Sequence, residues 1–154
     1  MKRIYISGVA LVASAVLVGL GGTASAGQGE RNRCSIATLK GSFGYTVSGA
    51  LTGGPTPGPF AAVGQLAFDG AGNFENVRTI SQNGGISRRI QGVGTYTVEH
   101  DCSGTLTFTD GGVVTLSTDL VIDADGDEFR MIATTPGTVL TVEGRKQFSF
   151  PGKR

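Results

Sequence analysis

Few side chains in this chain could do chemistry, and their spacing limits what that chemistry is. There is a single histidine, His100, directly before Asp101-Cys102, and no G-x-S-x-G elbow, so a Ser–His or Cys–His nucleophile lacks its usual setting. Cys34 and Cys102 are the only cysteines and show no C-x-x-C spacing. In an oxidising compartment such a pair reads as one disulfide. The alternative, two ligands of a metal site, would need histidine or further cysteine partners. Asp123-Ala124-Asp125-Gly126-Asp127-Glu128 is the densest acidic cluster. Calcium favours such oxygens, but the glycine falls fourth where an EF-hand loop wants it sixth, and a solvated hairpin tip is the simpler reading. No metal and no cofactor is expected.

A second group is more suggestive of binding. Arg78 and Gln82 share the period-2 parity of Phe74 and Ile80, and Arg88 shares that of Ile86 and Ile90. Glu143 and Arg145 share the parity of Val139, opposite Leu140 and Val142. Polar groups converging on an apolar wall are what a ligand pocket needs. Arg78, Arg88, Glu143, Tyr45 and Tyr96 are therefore the candidate ligand-binding residues, with Glu143 the carboxylate that would pair a buried arginine. The opposite parity could equally be the inner one, leaving these side chains in solvent. The Gly/Pro-rich segment Gly53–Pro59 is the one connection with the length of a lid, or else a plain surface loop.

The elements that must position these residues are strands. Glycine supplies 26 of 154 residues, too many for long helices, and without the three-residue period of collagen. Alternating stretches run over Gly41–Leu51, Phe60–Phe68, Phe74–Gln82, Ile86–His100, Thr105–Thr109, Val113–Ile122, Glu128–Thr134 and Thr138–Phe148, separated by turn signals such as Asp69-Gly70-Ala71-Gly72-Asn73 and Asn83-Gly84-Gly85. Phe60–Phe68 is apolar on both parities and predicts burial on both faces. Gly92 and Gly94 within one strand predict a bend or bulge. Eight strands joined by short turns must pair antiparallel with their sequence neighbours. The expected fold is all-β, a single small up-and-down barrel of about eight strands, with a two-sheet sandwich as the alternative.

Residues 1–26 read as a signal peptide: Lys2 and Arg3, an apolar stretch from Val9 to Leu20, and Ala24-Ser25-Ala26 as a cleavage site. The apolar stretch is short of the roughly 20 residues that span a bilayer, so an N-terminal anchor is the weaker reading and no stable membrane insertion is expected after cleavage. Residues 27–39 form a segment tied by the disulfide, and 40–150 the barrel. Arg31, Arg33, Lys153 and Arg154 place the surplus basic charge at the two ends, leaving an acidic body. Such a body lacks the basic face that nucleic acid requires.

The stretches CSIATLKGSFGY (34–45), PFAAVGQLAFDGAGNF (59–74), GTYTVEHDCSGTLTF (94–108) and TTPGTVLTVEGRKQ (134–147) resemble a largely uncharacterised family of small secreted bacterial proteins. The resemblance implies export and a barrel similar to those of allene oxide cyclase and the lipocalins, and brings no catalytic motif. Three functions follow as expectations. The chain is a secreted barrel that binds a small apolar or amphipathic ligand, a cyclase-like enzyme that shapes a bound substrate with Arg88 and Glu143 as polar guides, or a structural surface protein without a ligand. Such a cyclase needs little acid–base machinery, since a shaped cavity supplies proximity and orientation, but the enzyme reading rests on fold analogy alone, and one fold hosts many functions.

Overall fold

The computed structural model describes residues 34–123 and 126–147. The proposed signal peptide, Ala124, Asp125 and Phe148 lie outside them. Eight strands follow one another: β1 (Lys40–Leu51), β2 (Gly58–Asp69), β3 (Asn73–Gln82), β4 (Gly85–Val98), β5 (Ser103–Asp110), β6 (Val113–Ile122), β7 (Glu128–Ala133) and β8 (Thr138–Lys146). Each pairs antiparallel with its sequence neighbours, and β8 returns to β1, from Phe43 opposite Lys146 to Leu51 opposite Thr138, so the sheet is a closed barrel. Closure removes every edge that an open sandwich would expose. Among the described residues no helix is long and apolar enough to cross a membrane.

The alternation places Phe43, Tyr45 and Val47 of β1 inside, with Leu66 and Phe68 of β2, Phe74 of β3 and Tyr96 of β4. Leu106 and Phe108 of β5, Leu120 and Ile122 of β6, Phe129 and Met131 of β7 and Val142 of β8 complete the core. Phe68 is the hub of the aromatic packing. It meets Phe43 at 5.4 Å, Tyr96 at 5.0 Å and Phe129 at 5.9 Å between ring centres, all edge-on, the arrangement that sets a ring's positive edge on its neighbour's negative face.

Two turns show how short polar sequences set the register. Asn83 and Gly84 both have positive φ, 50° and 82°, as a tight hairpin whose twist matches its strands requires. At the β2–β3 turn the Asp69 carboxylate accepts hydrogen bonds from the Ala71 N–H (2.7 Å), the Asn73 N–H (3.0 Å) and the Asn73 side-chain amide (2.8 Å). The Asn73 amide first, then the backbone N–H groups, hold the Asp69 carboxyl below its ordinary range. A depressed folded-state value makes this contribution complete above the unfolded carboxylate range and lost as pH falls through the lower folded value. Asp69→Asn therefore lowers stability at neutral pH and flattens the acid limb, so that the two proteins converge as pH falls through the Asp69 range. An acid limb identical in the two proteins would show that the turn carries no such linkage.

One end of the barrel is plugged by the chain before β1. Leu39 is fully buried and Ile36 packs against the same core. The Tyr96 hydroxyl donates at 2.8 Å to the Leu39 carbonyl and lies 3.1 Å from that of Ile36. The expected disulfide is present: Cys34 and Cys102 are bonded, their Cα atoms 4.9 Å apart. Cys102 holds φ at 69°, an uncommon conformation for a residue with a side chain. Its N–H donates to the Glu99 carbonyl (3.1 Å), and its own carbonyl accepts from Ile122 (2.9 Å). This corner ends β4 at Val98, before His100, which stands exposed in the turn.

Two expectations need correction. β2 is not buried on both faces: Ala61, Val63 and Ala67 are exposed, Val63 by 58%, because a barrel has one interior and its outer wall tolerates the β-branched residues that strands favour. Gly92 and Gly94 mark no bulge. A Cβ at Gly92 would lie 2.6 Å from the Asn76 side-chain oxygen, and one at Gly94 would overlap the Thr107 carbonyl and the Phe74 ring, so these glycines make room in a narrow lumen. The irregularity falls earlier in β4, where Thr79 of β3 faces both Arg88 and Arg89. Arg89 takes the extra turn of chain with φ at 54°.

Candidate functional site

The aromatic packing fills the barrel from the plugged end to the level of Tyr45 and Phe108. Beyond that level, toward the opposite end, lies a cavity of about 190 Å³. Its wall is built from inward positions of several strands: Val47 and Leu51 of β1, Phe60 and Ala62 of β2, Ile80 of β3, Leu116 of β6, Leu140 and Val142 of β8. It stays open because Ala62 and Thr138 occupy inward positions where a large side chain would close it.

Tyr45 and Arg78 form the polar corner of this cavity, joined through Asn76. The Arg78 guanidinium donates to the Asn76 side-chain oxygen at 3.0 Å, and the Asn76 amide donates to the Tyr45 hydroxyl oxygen, also at 3.0 Å. Asn76 is 3% exposed, and both ends of its amide are used. Gly92, its cross-strand partner in β4, leaves the space that this chain of hydrogen bonds occupies. Burial pushes the Tyr45 hydroxyl above its ordinary value, against the charge of Arg78 and the hydrogen bond from Asn76. It stays protonated at neutral pH with its own hydrogen available to donate. The Arg78 guanidinium lies 5.8 Å from the centre of the Phe108 ring, within reach of a cation–π attraction. No carboxylate among the described residues is in ion-pair distance of Arg78.

The β1–β2 connection, the segment expected to act as a lid, lies at the same end of the barrel, between the cavity-lining Leu51 and Phe60. It is fastened on both sides. The N–H groups of Thr52 and Gly53 donate to the Gly137 carbonyl at 2.8 and 3.1 Å. The Gln82 amide reaches the Thr56 carbonyl (2.6 Å) and hydroxyl (2.9 Å), and the Asn83 amide reaches the Pro57 carbonyl (3.0 Å).

The five candidate binding residues thus divide. Arg78 and Tyr45 meet at the cavity. Tyr96 faces inward at the plugged end, where its hydroxyl is spent on the Leu39 carbonyl. Arg88 and Glu143 are exposed and stand on the outer wall, which corrects the expectation that they converge in the lumen. The physical reason for Arg88 is the bulge. Ser87 pairs with the inward Ile80, so Ile86, 53% exposed, and Arg88 turn outward although Ile90 beyond the bulge is inward. Glu143 follows the outward parity of Val139 and borders an outer depression with Arg89 and Arg145. The Arg–Glu pair expected inside is replaced by the Arg78–Asn76–Tyr45 relay, and the two guides assigned to a cyclisation do not share the cavity. Asn76 was missed, although it shares the parity of Phe74 and Arg78.

No family model, curated protein or solved structure matches the chain. The acidic tip at the β6–β7 turn pairs its described carboxylates with cations instead: Asp123 with Arg130 (2.8 Å), Asp127 with Lys146 (3.2 Å) and Glu128 with Arg145 (3.2 Å). These pairs are exposed and screened by solvent, so each contributes little. Their role is to dress the plugged end, away from the cavity.

Proposed function

We propose that the protein is an exported barrel that binds a small molecule of largely apolar body in the cavity at its open end. The observation that carries this reading is an apolar-walled volume of about 190 Å³ that opens to solvent at its mouth, in a barrel whose other half is filled by packed aromatic residues. Protein interiors ordinarily leave few voids larger than a water, and an apolar void forfeits dispersion contacts that a ligand restores. The polar corner of Arg78, Asn76 and Tyr45 gives such a ligand an orientation. The disulfide fits an oxidising, extracellular or periplasmic compartment, and the basic, apolar and small-residue segments of residues 1–26 support export. The motifs that resemble a family of small secreted bacterial barrels support the same reading.

The experiment is thermal unfolding with and without benzene. A dry apolar cavity of about 150 Å³ is known to take benzene, so benzene should raise the unfolding midpoint in proportion to the logarithm of its free concentration. Ala62→Leu, which fills the cavity from its wall, should abolish the rise. An unchanged midpoint across the soluble range of benzene, in a protein shown to be folded, would remove the cavity as a ligand site.

A further inference from the structure

We infer that the cavity selects an anion: a monocarboxylate carrying one aromatic ring, or an aliphatic chain of similar bulk. This rests on the cavity being a ligand site and names the chemistry of what enters it. Arg78 is the one charged residue among those that line the cavity. Its guanidinium carries five N–H donors, of which Asn76 takes one bond at 3.0 Å. The apolar wall solvates a cation poorly, and no described carboxylate answers it. A ligand oxyanion would supply that charge, and the planar fork of the guanidinium matches a carboxylate with two parallel hydrogen bonds.

The neighbouring groups favour the same ligand. Tyr45 accepts from Asn76, which leaves its O–H free to donate to a ligand. The corner therefore presents donors from two side chains and no carboxylate, so an anion is attracted and a cation repelled. The Asn76 relay fixes both donors before a ligand arrives: it is buried at 3% exposure, and its amide is held at both ends. Phe108, with the guanidinium 5.8 Å from its ring centre, provides an aromatic surface beside the charge.

Size narrows the class. A cavity of about 150 Å³ accommodates one benzene ring, and 190 Å³ leaves room for that ring and a single small head group. A second fused ring or a long acyl chain would exceed this volume and project from the mouth into solvent, losing contact with the wall.

Benzoate, benzamide and benzamidinium have closely similar shapes and differ in the charge of the head group, so titration calorimetry of the purified protein with the three is the decisive comparison. Benzoate should bind saturably and at least about ten-fold more tightly than benzamide, as expected for a charge-assisted hydrogen bond over a neutral one. Benzamidinium should not bind. Arg78→Met should reduce benzoate affinity at least about ten-fold and abolish the preference for benzoate over benzamide. 2-Naphthoate should bind more weakly than benzoate. If benzene enters but benzoate binds no better than benzamide, the anion assignment is overturned and the cavity reading stands. If neither benzene nor benzoate binds, both fall. Naphthoate tighter than benzoate overturns the size limit. Should Arg78→Met not fold, the comparison of the three head groups on the unaltered protein still decides.

Discussion

Gly94→Ala lowers the stability of the protein by about 3 kcal/mol, the upper range for forcing atoms into a packed core. A Cβ at this position would overlap the backbone carbonyl of Thr107, and it would stand 2.5 Å from the tip of the Phe74 ring. The first obstacle is a strand already fixed by its ladder, and the second is a ring 2% exposed and packed against Phe108 at 5.0 Å. Neither has a direction in which to yield. Urea unfolding monitored by tyrosine fluorescence reads the loss as a shift of the midpoint. Pairing the substitution with Phe74→Leu recovers only the share due to the ring, because the Thr107 carbonyl remains. A loss under about 1 kcal/mol would mean that β4 and β5 separate cheaply, and that Gly94 is not a packing requirement.

Replacing Cys34 and Cys102 together by serine costs about 4 kcal/mol. The bridge spans a sequence separation of 68 residues, and the chain-entropy account assigns a loop of that length roughly this much constraint on the unfolded chain. The loss should appear at equilibrium in denaturant. It should leave benzene binding intact under conditions where the variant is folded, because the cavity lies at the opposite end of the barrel. Equal stability of the bridged and serine forms would show that Tyr96 and the burial of Leu39 hold the plug unaided. Loss of benzene binding in the folded variant would show that the two ends are not independent.

The strands were legible to within about two residues at most ends, since an eight-stranded meander repeats one signal: alternation, then a turn rich in glycine, aspartate or asparagine. Which parity faced inward was less legible. Outer positions carry Val63, Val93, Val121, Ile132 and Val139, all more than half exposed, so apolar character does not separate the two walls. The aromatic residues do, because only the lumen offers them neighbours. The reversal at Arg88 escaped the sequence for a different reason. A bulge announces itself when glycine takes the positive φ, and here an arginine does. Gly92 and Gly94 drew attention to the right strand for the wrong property, since their missing side chains matter through space and not through backbone freedom. In the site, Arg78 and Tyr45 were readable from parity. Asn76 was equally readable, but a small amide between Phe74 and Arg78 carries no charge to draw the eye. The exclusion of Glu143 followed from Leu140 and Val142 once the inner wall was known.

The ladder between β1 and β8 has a consequence in time. It joins residues about one hundred positions apart, Phe43 to Lys146 and Leu51 to Thr138, so the first strand cannot meet its second partner until the last has been made. Until then the growing sheet has two free edges, at β1 and at whichever strand is newest, each able to recruit another chain. Distant pairing also slows folding, because the loop must close before any contact rewards it. The interior with its cavity therefore comes into being only in the final step.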